Sequence, residues 1–122
     1  MKTLLLLGSL NLAVVIMLGA FGAHALKKKL TADMLDIYQT GVLYHLIHGL
    51  GLLLLGVLAG GVLQSGLVLT AGWLLFAGIL LFSGSLYVLA LTGVKRLGAI
   101  TPLGGLCFIA GWIIVAVAVI QG

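Results

Sequence analysis

Charged residues are so sparse in this chain that they mark its organisation. After Lys2 the next charge is Lys27, leaving residues 3–26 as one apolar block. From Ile37 to Val94 there is no charged residue at all. A single helix needs only about 20 residues to cross a hydrocarbon layer of ~30 Å. The long block therefore holds two crossings, with the turn between them best placed at Gly60-Gly61 through Gln64-Ser65-Gly66. A last apolar block covers residues 97–120. No block shows the alternation of apolar and polar positions that lipid-facing strands need. The pattern predicts one all-α integral membrane domain over residues 1–122, a four-helix transmembrane bundle with spans at about 3–26, 41–63, 67–93 and 97–120.

Two stretches between blocks need separate treatment. In AFGAHALKKKL (residues 20–30), Ala23-His24-Ala25 has the small-x-small form of a signal-peptidase site. The apolar run before it exceeds the roughly 7–15 residues of a signal, and Lys27, Lys28 and Lys29 look like a stop-transfer flank. The segment is accordingly read as a span. The following LTADMLDIYQT places Thr31 as an N-cap with Asp33 in the first turn. Its apolar and polar residues alternate at roughly helical spacing. This predicts a short amphipathic interfacial helix over residues 31–40 that bends into the second span near Gly41; an extension of that span is the alternative. Asp33 and Asp36 are read as solvated charges beside the lysines rather than an acid/base pair, because nothing desolvates them.

Composition strengthens the membrane assignment. Of 122 residues, 63% are hydrophobic and 7% charged, too few charges to cover a soluble domain of this size. Nineteen glycines against one proline suggest close helix contacts. Lys27, Lys28, Lys29, Lys95 and Arg96 flank one face, against Lys2 on the other, which predicts that face to be cytoplasmic and both termini outside. The basic run has no interleaved aromatics, so no nucleic-acid partner is expected. Cys107 is alone and forms no internal disulfide.

Polar groups at membrane depth are costly, so each needs a reason. His24 ends the first span, and His45 and His48 enter the second in YHLIHGL, with His48 about 10 Å inside. Ser83, Ser85 and Tyr87 approach the same face on the third span, and Thr101 opens the fourth. The candidate polar cluster is His24, Tyr44, His45, His48, Ser83, Tyr87 and Thr101. At 100° per residue Gly41, His45, Gly49, Gly56 and Gly60 share one arc, His48 lies beside it, and Gly56 and Gly60 form a GxxxG pair. Gly72, Phe76, Ser83 and Tyr87 make a similar stripe on the third span, and Asn11, Gly19, Gly22 and Ala23 a contact face on the first. Such a cluster can serve as hydrogen-bonded glue between helices, line a path for a ligand, proton or ion, or ligate a metal or haem. No carboxylate lies at the histidines' depth, CxxCH is absent, and Cys107 sits deeper as a packing residue, so no metal or cofactor is expected. P-loop, GxSxG and HExxH motifs are also absent, and Gly104-Gly105 follow Pro102 in a first helical turn rather than a strand.

GAFGAHAL (residues 19–26), YHLIHGL (44–50), SGSLYVLAL (83–91) and TPLGGLCFIAGW (101–112), in this order, resemble the YgdD/YwdK family of small inner-membrane proteins, whose eukaryotic relative is transmembrane protein 256. The resemblance covers nearly the whole chain. It implies a bacterial inner-membrane protein with four helices and brings no established activity and no catalytic residues. The leading expectation is a non-enzymatic membrane module that packs with itself as a homo-oligomer or with another membrane protein, or binds membrane lipids or a ligand. A small oligomeric transporter or channel, its path passing His24, His45, His48 and Tyr87, is the first alternative. A redox or quinone-linked accessory subunit is the second.

Overall fold

The structure, a computed structural model, describes residues 2–63 and 65–122; Gln64, part of the expected second turn, lies outside the described residues. The first helix, α1 (Lys2–Phe21), runs on through a π-helical turn, Gly22–Leu26. The second, α2, is a single helix of 28 residues, Ala32–Ala59. The third crossing joins α3 (Ser65–Gly78), a π-helical turn (Ile79–Ser83) and α4 (Gly84–Thr92). A 3₁₀ turn, Lys95–Ala99, leads into α5 (Thr101–Gln121), with Pro102 in its first turn. Four helical units, Lys2–Leu26, Ala32–Ala59, Gly66–Thr92 and Lys95–Gln121, are long and apolar enough to cross a membrane, and they are spans 1 to 4 below.

The expected interfacial helix is not a separate element. Thr31 does cap, its hydroxyl accepting from the Met34 N–H at 3.2 Å, but the helix it opens continues straight through Gly41 to Ala59. A glycine inside a helix costs only about 1 kcal/mol, and here Gly41 is held by neighbours on span 3, so nothing forces a bend. Residues 32–40 are the first turns of span 2, the alternative that the amphipathic pattern left open.

Span 1 packs on span 2, span 2 on span 3, and span 3 on span 4. Spans 2 and 3 are the more buried pair and form the centre. Leu4, Leu52, Leu55, Val68, Ala71 and Leu75 fill the core toward the charge-free end, and Leu26, Tyr38 and Ala90 close it at the lysine end. Leu6, Leu10, Ile16 and Met17 on span 1, with Leu106, Ile113 and Ile120 on span 4, face outward, as helices in hydrocarbon require.

Close approach relies on particular glycines. A Cβ on Gly104 would collide with the backbone nitrogen of Phe82, so spans 3 and 4 touch backbone to backbone there. The expected GxxxG pair does not act as a pair. Gly56 packs against Leu5 of span 1, whereas Gly60 ends α2 and meets only carbonyls of its own helix.

Candidate functional site

The two histidines of α2 anchor two separate polar networks on adjacent turns of that helix. In the first, His45 is 4% exposed and sits between spans 1 and 3. Its Nδ1 lies 2.9 Å from the Tyr87 hydroxyl and its Nε2 2.9 Å from Asn11 Oδ1. The Asn11 amide nitrogen donates to the Leu7 carbonyl at 2.8 Å, which fixes Oδ1 as the atom facing the histidine. That oxygen is an acceptor, so His45 carries its proton on Nε2, and Nδ1 accepts from the Tyr87 hydroxyl. The chain Tyr87 → His45 → Asn11 → Leu7 carbonyl ties three helices together with each donor matched. Two further bonds flank it: the Ser83 hydroxyl donates to the Gly41 carbonyl at 2.7 Å, and the Tyr38 hydroxyl donates to the Leu18 carbonyl. Gly41 makes this possible, because a Cβ there would stand 3.0 Å from the Tyr87 ring.

In the second network the protonation is reversed. The Trp112 indole N–H is a donor only, and it lies 3.1 Å from His48 Nε2. His48 Nε2 must therefore accept, which puts the proton on Nδ1, where it donates to the Tyr44 carbonyl at 2.8 Å. The imidazole also stacks on Phe108, with ring centroids 3.5 Å apart and planes 8° apart. Two histidines one helical turn apart thus hold opposite tautomers, each set by its neighbours. Both nitrogens of both rings are engaged, which leaves no lone pair free for a metal without breaking a bond. Among the described residues no group of three His, Cys, Asp or Glu side chains comes together.

Beside His48 a groove of about 630 Å³ opens between spans 2 and 4. Tyr44, Phe82, Phe108 and Trp112 give it an aromatic wall, and Gly105, Ile109, Ile113 and Ala116 supply the face of α5. Ile109 and Ile113 are more than half exposed, so the groove opens sideways, in the direction of the surrounding lipid. Trp112 also rests against Gly51 of α2 and so bridges the two helices that flank the opening.

The sequence-expected cluster is therefore distributed rather than single. His45, Ser83 and Tyr87 meet in the first network; His48 and Tyr44 belong to the groove. Thr101 pairs with Ser85 at 2.6 Å, and because the Ser85 hydroxyl donates to the Phe82 carbonyl, Thr101 is the donor. His24 is exposed on the π turn of span 1 and joins neither network. Sequence reasoning missed Asn11 as a histidine partner and the groove residues Phe82, Phe108 and Trp112. Two signals were present: an amide at membrane depth needs a partner, and tryptophan usually sits at the interface, so one in mid-span calls for an acceptor.

Residues 18–105 match a family described as "Protein of unknown function (DUF423)". The chain belongs to the DUF423 family. Its relatives include the UPF0382 membrane protein YwdK of Bacillus subtilis, 50% identical over 59 residues that make up 48% of each chain. A UPF0382 membrane protein of Staphylococcus saprophyticus is 46% identical over 60 residues, 49% of this chain and 50% of the relative. The chain spans about half the length of the curated relatives it matches. No solved structure matches it. The DUF423 match takes in span 2 and span 3 with His45, His48, Ser83 and Tyr87, while Asn11 and Trp112 lie beyond its limits.

Proposed function

We propose that this DUF423 protein is a non-enzymatic binding module of the bacterial inner membrane whose groove between spans 2 and 4 takes an apolar chain directly from the bilayer. The groove carries this reading. Its volume of about 630 Å³ falls within the roughly 300–1,000 Å³ of ordinary ligand pockets. Its walls are aromatic and aliphatic, and it opens sideways instead of toward water. The histidine in its wall has both nitrogens engaged, so it shapes the surface without offering a reactive group. The same engagement argues against the alternatives of a histidine-lined path and a haem or quinone-ligand role, since His45 and Tyr87 bond to one another and lie outside the groove lining.

Membrane lipid is the partner this reading implies. The face carrying Lys27, Lys28, Lys29, Lys95 and Arg96 is cytoplasmic, and the ends near Lys2 and Gln121 face outside.

The test is native mass spectrometry of protein released into mild detergent, compared with a groove-filled variant. A Cβ on Gly105 meets only Phe82, at 3.9 Å, so Gly105→Leu combined with Ala116→Phe fills the groove without displacing a helix. The wild-type protein is expected to carry one lipid adduct more than the variant. Identical adduct patterns from two folded proteins would refute the proposal.

A further inference from the structure

Building on the groove reading above, we propose that the occupant is an anionic phospholipid taken from the cytoplasmic leaflet. Three tiers of chemistry line up along one direction. The deep tier is hydrocarbon: Ile109, Ile113 and Ala116 on α5 beside Trp112. From Gly105 to Ala116 the lining covers about 16 Å of helix at 1.5 Å per residue. This matches about 15 Å for one leaflet, half of a ~30 Å hydrocarbon layer. The lining begins about 6 Å from the start of α5 and is about as long as one acyl chain region.

The middle tier is the Tyr44 hydroxyl. Among the polar side-chain atoms of the lining, His48 Nδ1 and Nε2 and Trp112 Nε1 are mutually or internally bonded, and the Tyr44 hydroxyl alone bonds to no described residue. Tyr44 stands at the shallow end. Its ring lies 4.4 Å from Phe82, and Phe82 packs against Gly104 and Gly105 in the first turn of α5. That turn is roughly 6 Å from the start of the helix. Helical side chains lean toward the N-terminus of their helix, and α2 enters from the basic face, so the Tyr44 ring leans toward that face. A phospholipid seated in the groove offers its ester carbonyl as the acceptor for this hydroxyl.

The shallow tier is charge. Lys95 and Arg96 lie on the 3₁₀ turn that leads directly into the α5 wall of the groove, both exposed. With Lys27, Lys28 and Lys29 against Asp33 and Asp36, this face carries five cations and two carboxylates, a net +3. No ion pair joins these charges among the described residues. Each basic residue at the membrane surface favours anionic over neutral lipid. A neutral lipid satisfies the two lower tiers and leaves the third unanswered.

Trp112 reports occupancy directly. The chain has two tryptophans, so Trp73→Phe leaves Trp112 as the only one. This protein is reconstituted in phosphatidylcholine vesicles doped with either dibrominated-chain phosphatidylglycerol or dibrominated-chain phosphatidylcholine, and Trp112 quenching is followed against mole fraction. Half-maximal quenching is expected at a mole fraction at least fivefold lower for the anionic lipid. Lys95→Gln with Arg96→Gln should bring the two curves together. So should raising the salt concentration, which needs no variant. Coincident curves for the unaltered basic face would overturn the anionic preference while leaving a chain-binding groove in place. Absence of quenching by either lipid would overturn the groove reading as well.

Discussion

His45 and His48 lie on successive turns of one helix, yet their surroundings demand opposite tautomers. The demand comes from chemistry that allows no exchange: an indole N–H cannot accept, and an amide oxygen cannot donate. Selective ¹⁵N-histidine labelling should show His45 protonated at Nε2 and His48 at Nδ1, and a shared tautomer would contradict the two networks. His45→Phe strands the Tyr87 hydroxyl and the Asn11 carbonyl oxygen at membrane depth, with an expected loss of about 1–3 kcal/mol. In a cycle with Tyr87→Phe, the coupling should be about 0.6 kcal/mol and no more than about 1.7 kcal/mol, the average and maximum for such bonds between membrane helices. Detergent-induced unfolding reads both quantities, and zero coupling would show that the bond contributes nothing. The histidines themselves were legible in the sequence, because charge-free spans make any polar residue conspicuous. Their partners were less so: Asn11 is separated from His45 by 34 positions and Trp112 from His48 by 64, and no local pattern relates residues that far apart.

At the scale of the element, the spans could be read because lipid imposes a length on them. The expected third span, residues 67–93, lies within one residue of Gly66–Thr92. What lipid does not impose is the path of a helix inside its span. The π-helical turn at Ile79–Ser83 inserts an irregularity into a stretch that is uniformly apolar, and a uniform composition carries no phase information to reveal it. For the same reason the stripe drawn at ideal spacing on span 3 holds for Gly72 and Ser83, which are buried, while Phe76 and Tyr87 are only half-buried. Glycine behaves likewise: the sequence shows where glycines are, and only the neighbours decide which ones matter. A methyl group at Gly104 meets backbone that cannot rotate away, so Gly104→Ala should cost roughly 1–3 kcal/mol, as overpacking does. At Gly84 a Cβ meets nothing closer than a carbonyl of its own helix at 3.9 Å, so Gly84→Ala should be neutral or stabilising by up to ~1 kcal/mol through helix propensity. Equal effects at the two sites, read from unfolding in detergent, would mean that spans 3 and 4 do not approach as closely as this packing requires.

For the whole molecule, four crossings put the ends near Lys2 and Gln121 on one face and the connections holding Lys27, Lys28, Lys29, Lys95 and Arg96 on the other. The fold is thus polarised in charge as well as in packing, since the Tyr87 end of the His45 network and the shallow end of the groove are nearer the basic face. Orientation and lipid preference share this cause. Basic residues resist transfer across the membrane, and the same residues, once retained, attract anionic headgroups. The difference of five cations against one is what should hold the protein in a single orientation. Replacing Lys27, Lys28 and Lys29 with glutamine leaves Lys95 and Arg96 facing Lys2, two against one. Alkaline phosphatase joined after Gly122 should be active on the natural sequence, whereas a fluorescent protein at the same place stays dark. The neutralised chain should give both signals, from a mixed population. Strong fluorescence from the natural sequence would place the lysines outside, and the lipid bound in the groove would then have to come from the opposite leaflet.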